Sequence, residues 1–183
     1  MANTYVAFML PDDLQEQIVA VQDELNARLK QQGLPLLKKR LPERLHITLQ
    51  FIRKNDVSQE EIAKIVRALQ AIAHEFKSIE LAQNLAQAQF AFWGPVVVLV
   101  LKPHEELTAL VAAVRKAFDN AGIEYDKKFP DYIPHLTIGS LDEASRNFLQ
   151  QQKIQVPEIK TYKADALVLR SAGANAAHIF LKR

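Results

Sequence analysis

The two halves of this chain pass through the same order of segments, and that repetition limits the fold more than any single motif does. In the first half, the apolar run Thr4 to Leu10 reads as a buried strand, and Pro11-Asp12 ends it at a helix start. Leu14, Ile18, Val21, Leu25 and Leu29 then recur every three or four residues, which lays one apolar stripe along a helix that Gly33 and Pro35 stop. A basic connector, Lys38-Lys39-Arg40, leads to a strand over Leu45 to Ile52, and Ser58 with Glu61 resembles a capping box for a second amphipathic helix. Ser78 to Phe92 reads as one or two weaker strands, and Trp93-Gly94-Pro95 as a turn. The second half repeats the order. Its strand Val96 to Lys102 ends at Pro103, and its first helix carries Leu107, Val111, Val114 and Phe118 at a constant offset from Leu14, Ile18, Val21 and Leu25. Lys127-Lys128 forms the second basic connector. A strand from His135 to Leu141, a short helix capped by Asp142, and strands over Lys163 to Arg170 and Ala176 to Lys182 follow.

This pattern predicts an α+β fold of two pseudo-twofold-related lobes, each an antiparallel sheet with two helices. A doubly wound sheet would separate its strands by one helix each throughout. No glycine-rich or serine-rich linker divides the halves, so residues 1–183 are expected to form a single domain of two lobes, approximately 1–93 and 94–183, with terminal strands able to exchange between them.

Both halves carry the same tetrapeptide on the strand after their first helix: His46-Ile47-Thr48-Leu49 and His135-Leu136-Thr137-Ile138. Strand side chains alternate faces, so His and Thr share one face while the two apolar residues anchor the core. If the lobes face each other, both pairs line one groove. Histidine titrates near neutrality, so one copy can accept a proton from water while the other donates one to a leaving oxygen. The threonine hydroxyls can donate to the oxygens of a phosphate held between them, where charge builds in the transition state. Such a constellation suits a ribose phosphodiester, a strained 2′,3′-cyclic phosphate above all. No serine elbow or Walker-type loop competes with it.

Charge and cysteine usage exclude other classes. Lys and Arg number 23 against 21 Asp and Glu, too balanced for a nucleic-acid coat or a polybasic membrane anchor, so an anionic ligand must be held locally. The absence of cysteine removes disulfides, zinc–thiolate sites and thiol catalysis. The first apolar stretch has no leading basic region, and Val96 to Leu101 is far too short to span a bilayer. A soluble, cytoplasmic monomer is expected, without membrane association.

The two H-x-T-x motifs, the N-terminal strand ending in Leu10-Pro11, and Pro134 directly before the second histidine resemble the 2H phosphoesterase superfamily, within it the LigT-like 2′-5′ RNA ligase or RNA 2′,3′-cyclic phosphodiesterase group. The resemblance covers nearly the whole chain. It implies a bilobal enzyme without metal or other cofactor, with His46, Thr48, His135 and Thr137 as the catalytic set, His46 as general acid and His135 as base for water. Two departures bear on substrate. Many relatives follow the second motif with a small residue and an arginine, where this chain has Gly139-Ser140, and Leu41-Pro42-Glu43-Arg44-Leu45 replaces an aromatic and basic stretch before the first motif.

Around this set, Tyr132 and Trp93 each stand beside a turn residue and are candidates to stack on a base, whereas Phe92 and Phe129 are expected to pack in the core or between lobes. Arg53 and Lys39 are candidate phosphate contacts; a solvated strand end and a loop charge are the competing readings. His74, His104 and His178 are expected to be structural. The expected substrate is RNA or a nucleotide with a 2′,3′-cyclic phosphate. A 2′-5′ linkage, as in oligoadenylate, the reverse ligation, and a catalytically silent RNA-binding module are the alternatives.

Overall fold

The computed structural model describes residues 3–53, 57–128, 130–152, 154, 156, 162–171 and 173–182. Phe129, expected to pack in the core or between lobes, lies outside the described residues. The elements run β1 Thr4–Met9, α1 Asp12–Gln31, β2 Lys38–Lys39, a 3-10 turn Pro42–Arg44, β3 His46–Arg53, α2 Gln59–Ala73, β4 Ile79–Glu80, α3 Ala82–Ala86, β5 Gln89–Trp93, β6 Val96–Val100, α4 Glu105–Ala121, β7 His135–Ser140, α5 Glu143–Gln150, β8 Lys163–Ala164, β9 Ala166–Ser171 and β10 Ala174–Phe180.

Local chemistry sets most of these boundaries. Ser58 accepts from Glu61 N while the Glu61 carboxylate accepts from Ser58 N, a complete capping box that starts α2. Asp142 caps α5 through Ser145 N at 2.8 Å. Gly122 ends α4 at φ +60°, a left-handed conformation that a side chain would strain. His104 has the structural role expected of it: its ring accepts from Leu107 N at the start of α4.

Two segments differ from expectation. Residues 78–92, read as one or two weaker strands, hold the two-residue β4 and then β5, but with the single-turn α3 between them. Ala82 and Leu85 are buried three residues apart, a spacing one helical turn satisfies and a strand does not. The basic connector is not all loop, because Lys38 and Lys39 pair with Ser140 and Gly139 as β2.

All strands but β4 and β8, which pair with each other, form an antiparallel sheet of order β10-β9-β1-β3-β7-β6-β5, with β2 on the same edge of β7 as β3. The two groups of strands meet at Ile47 opposite Leu136, both fully buried. The halves match residue for residue around the histidines. Met9, Phe8 and Ala7 face His46, Ile47 and Thr48, as Val100, Leu99 and Val98 face His135, Leu136 and Thr137. In each half the register then skips one residue, Leu49 or Ile138, a β-bulge directly after the threonine. Helices cross between halves: α4 packs on β3 and on α2, while α1 packs on β7 and α5.

The connectors cross as well. Residues before β3 run along β7, with Arg40 N donating to Ile138 O, and residues before β7 run along β3, with Asp126 N donating to Phe51 O. Gly139 makes the first crossing possible, since a Cβ there would stand 2.7 Å from the Lys38 carbonyl oxygen and from the Leu37 side chain. Gly139→Ala is therefore expected to lower stability by about 1–3 kcal/mol, the usual cost of overpacking. A denaturant midpoint equal to wild type would show that β2 yields freely.

Candidate active site

Each histidine opens its strand, at the end where the two lobes meet. His46 Nδ1 donates to Arg44 O at 2.7 Å and His135 Nδ1 donates to Ile133 O at 2.9 Å. A carbonyl oxygen only accepts, so both rings carry their proton on Nδ1 and leave the Nε2 lone pair unused by these bonds. The same bond, two residues back along the chain, fixes both tautomers in the same way.

The face these side chains share is the one turned from the helices. Val6, Phe8, Ile47, Leu49, Leu99, Leu136, Ile138, Leu167 and Leu169 belong to the core. Tyr5, Ala7, Val98, Val168 and Arg170 are buried but stand outside it, on the same side as His46, Thr48, His135 and Thr137. Counting outward from the Ile47–Leu136 pair, the antiparallel register sets His46 toward Thr137 and His135 toward Thr48. The four catalytic candidates thus come together on one face of the sheet. An aromatic ring rests on each imidazole: Tyr5 stacks on His46 with centroids 4.6 Å apart, and Trp93 meets His135 edge-on at 4.6 Å.

The remaining candidates divide. Trp93 is 42% exposed beside His135, in reach of a bound group. Tyr132 is brought to the first motif, where its hydroxyl donates to Thr48 O at 3.1 Å and its ring packs against the core. Burial pushes its phenol up, out of reach of ordinary pH. Phe92 packs against the core. Arg53, at the opposite end of β3 from His46, is ion-paired with Glu61 at 2.6 Å and is not brought to the groove. Lys39 lies on β2 with its ammonium on the Asp23 carboxylate.

Further residues, of which the sequence named only Arg40 within its basic connector, complete the surroundings. Gln22, fully buried in α1, donates to both Arg40 O at 2.9 Å and Ile138 O at 2.8 Å and so fastens the first connector to the bulge of β7. Gln50 donates to Asp126 O at 2.9 Å and accepts from Arg115 Nε at 2.7 Å, fastening the second connector to β3. Arg40 and Arg170 both act on His46 through space.

Burial lowers His46 to about 4 against an ordinary 6.5; its bond to the Arg44 carbonyl opposes this, while the charges of Arg40, Arg170 and His135 add to it. Burial also lowers His135, with the Ile133 carbonyl opposing. Both rings are therefore neutral at pH 7 in the free protein. The unfolded chain takes up these protons below about 6.5, and the folded protein refuses the one on His46 until about 4. The stability they contribute is thus complete above pH 6.5 and is lost as pH falls through that window. We expect the thermal midpoint to drop between about pH 6.5 and pH 5, where carboxylates stay largely ionised, and the drop to be shallower in His46→Asn. An equally steep drop in the variant would assign the loss to other groups.

The sequence matches the 2′-5′ RNA ligase superfamily over residues 10–174. No curated protein matches it. Among solved structures, it is similar to LigT of E. coli in apo form, at 18% identity and TM-score 0.70, over 99% of this chain and 98% of that one. A second crystal structure of LigT holds 3′-AMP and superposes with TM-score 0.68 at 18% identity over the same shares. TT0787 of Thermus thermophilus, at 14% identity and TM-score 0.66, and Usb1 of Kluyveromyces marxianus, at 14% and 0.61, each match over 98% of both chains. These likenesses show a shared fold.

Proposed function

The chain belongs to the 2′-5′ RNA ligase superfamily, the LigT-like group of the 2H phosphoesterases, and on that ground we propose that it is a phosphodiesterase opening 2′,3′-cyclic phosphate ends of RNA or nucleotides to a phosphomonoester. One observation carries this reading: two imidazoles with identical tautomers, their Nε2 lone pairs unused by any bond among the described residues, share one face of the sheet, each set toward the threonine of the other motif.

The groove supplies each element of an in-line displacement. A cyclic phosphate seated between the motifs receives hydrogen bonds from Thr48 and Thr137 as charge grows on its oxygens. Neutral His135 takes a proton from water through Nε2. The water oxygen forms a new P–O bond while the bond to the ribose oxygen breaks. That oxygen leaves with a proton from His46, which has to be in its imidazolium form at this point. In the free protein burial and nearby cations keep His46 neutral. A bound phosphate brings the opposite charge next to the ring and raises its affinity for a proton. Substrate binding and the arming of the acid are thereby one event. Trp93, exposed beside His135, is the residue placed to stack on the base. That one LigT structure holds 3′-AMP and another phosphate supports a nucleotide substrate.

Purified protein incubated in EDTA with a 2′,3′-cyclic nucleotide, a cyclic-phosphate-ended oligonucleotide and 2′-5′ triadenylate tests the reading. Opening of the cyclic phosphates to one phosphate isomer is expected, and the isomer identifies the leaving oxygen. Cleavage of triadenylate alone would move the activity to the 2′-5′ linkage. Silence on all three, with binding of single-stranded RNA, would leave a binding module.

A further inference from the structure

Gly139-Ser140 takes the place of the arginine that the LigT-like pattern implies after the second motif, yet a cation stands at the groove from a strand far away in sequence. Arg170, on β9, is only 6% exposed. Its guanidinium donates to Gly173 O at 2.6 Å and Glu43 O at 3.3 Å, with the Met9 sulfur at 3.9 Å, and its Nε is buried without a partner. None of the ion pairs among the described residues involves it. A guanidinium stays charged under any ordinary condition. Burying it among carbonyls, with no ion-paired carboxylate among the described residues, is costly and is seldom found without an anion to receive.

Its neighbours place it at the first motif. Arg170 pairs in register with Tyr5, whose ring stacks on His46. Met9, beside the guanidinium, is the register partner of His46, and Glu43 lies in the turn that leads into it. Arg170 also stands on the face outside the core, with the catalytic candidates. In the structural repeat, the residue opposite Val96 is Trp93, as the residue opposite Tyr5 is Arg170. The two lobes thus present a ring to one side of the groove and a charge to the other.

We propose that Arg170 is the fixed cation that holds the substrate phosphate beside His46, replacing the arginine absent after the second motif; this rests on the phosphodiester reading above. It fixes one end of the site, with a charge on the His46 side that the His135 side does not share. It also explains how a chain with balanced net charge selects an anion, since the charge that matters is buried at one point.

Titration of wild type, Arg170→Met and Arg170→Lys with inorganic phosphate, followed by calorimetry together with each protein's thermal midpoint, tests this without any turnover. Wild type is expected to bind phosphate, Arg170→Met to bind it at least about tenfold more weakly, as loss of a charged hydrogen-bonding partner implies, and Arg170→Lys to fall between. A folded Arg170→Met that binds phosphate like wild type overturns the proposal, as does a wild type that binds none. Should Arg170→Met fail to fold, the Arg170 Nε–H resonance of the wild-type protein decides: it must move as phosphate is added, and its constancy at saturation overturns the proposal equally. Phosphate binding through Arg170 in a protein that leaves every diester intact would discard the cyclic-phosphate reading and keep the anion site. Turnover of cyclic phosphates with unaltered kcat/KM in Arg170→Met would do the reverse.

Discussion

Single replacement of His46 or His135 by alanine is expected to lower kcat by roughly a hundred- to ten-thousand-fold, with the double variant falling little further. In the proposed mechanism the two imidazoles act in one step, one removing and one delivering a proton, so removing either leaves the other with no partner event to complete. The variants should remain folded. Both rings are half-buried, and each makes one hydrogen bond through Nδ1 to a carbonyl two residues before it. Asparagine places an amide donor near that Nδ1 and lacks the proton chemistry of Nε2, so His46→Asn and His135→Asn separate anchoring from catalysis. Melting midpoints near wild type together with lost turnover in all four variants is the expected result. Either histidine variant with full activity would refute a two-histidine mechanism.

The groove was legible in the sequence where its signal is a short period. His-x-Thr on a strand puts both polar groups on one face and the intervening apolar residues in the core, and Ile47, Leu49, Leu136 and Ile138 are indeed buried beneath them. The same tetrapeptide at the same place in two halves then implied one shared site. The helices were legible for a similar reason, since Leu14, Ile18, Val21, Leu25 and Leu29 are all buried along α1.

What sequence reading missed depends on contacts between segments far apart in the chain. Gln22 lies outside the apolar stripe that marks α1, and only the crossing of the first connector onto β7 gives it two carbonyls to hold. Arg170 reads as the end of a strand. Its place beside His46 follows from β9 pairing with β1, which no local pattern encodes. Arg53 illustrates the converse. It follows the first motif on the same strand and is close to it in sequence, but β3 is extended, and seven residues carry it roughly 20 Å or more from His46, to Glu61. The bulges after Thr48 and Thr137 were equally invisible, since the inserted residues, Leu49 and Ile138, look like ordinary alternating core positions.

Leu136→Ala is expected to lower stability by about 2–5 kcal/mol, the range for emptying a fully buried leucine site, and also to lower kcat in protein that is still folded. Leu136 is opposite Ile47 where the strand groups meet, and its chain neighbours His135 and Thr137 stand on the groove face. Collapse of the cavity would move β7 against β3, and that motion changes the spacing of the imidazoles themselves. Small displacements of reacting groups carry large rate penalties. Leu69→Ala supplies the comparison: this leucine is just as buried, but it sits in α2, which packs on α4 and on β9 and β10. It should lose stability to a similar extent and keep its kcat. Denaturant titration fixes the folded fraction of each variant, and turnover measured where both are fully folded separates the two effects. Equal kcat in the two would mean that the junction of the lobes holds the fold together without setting the geometry of the site.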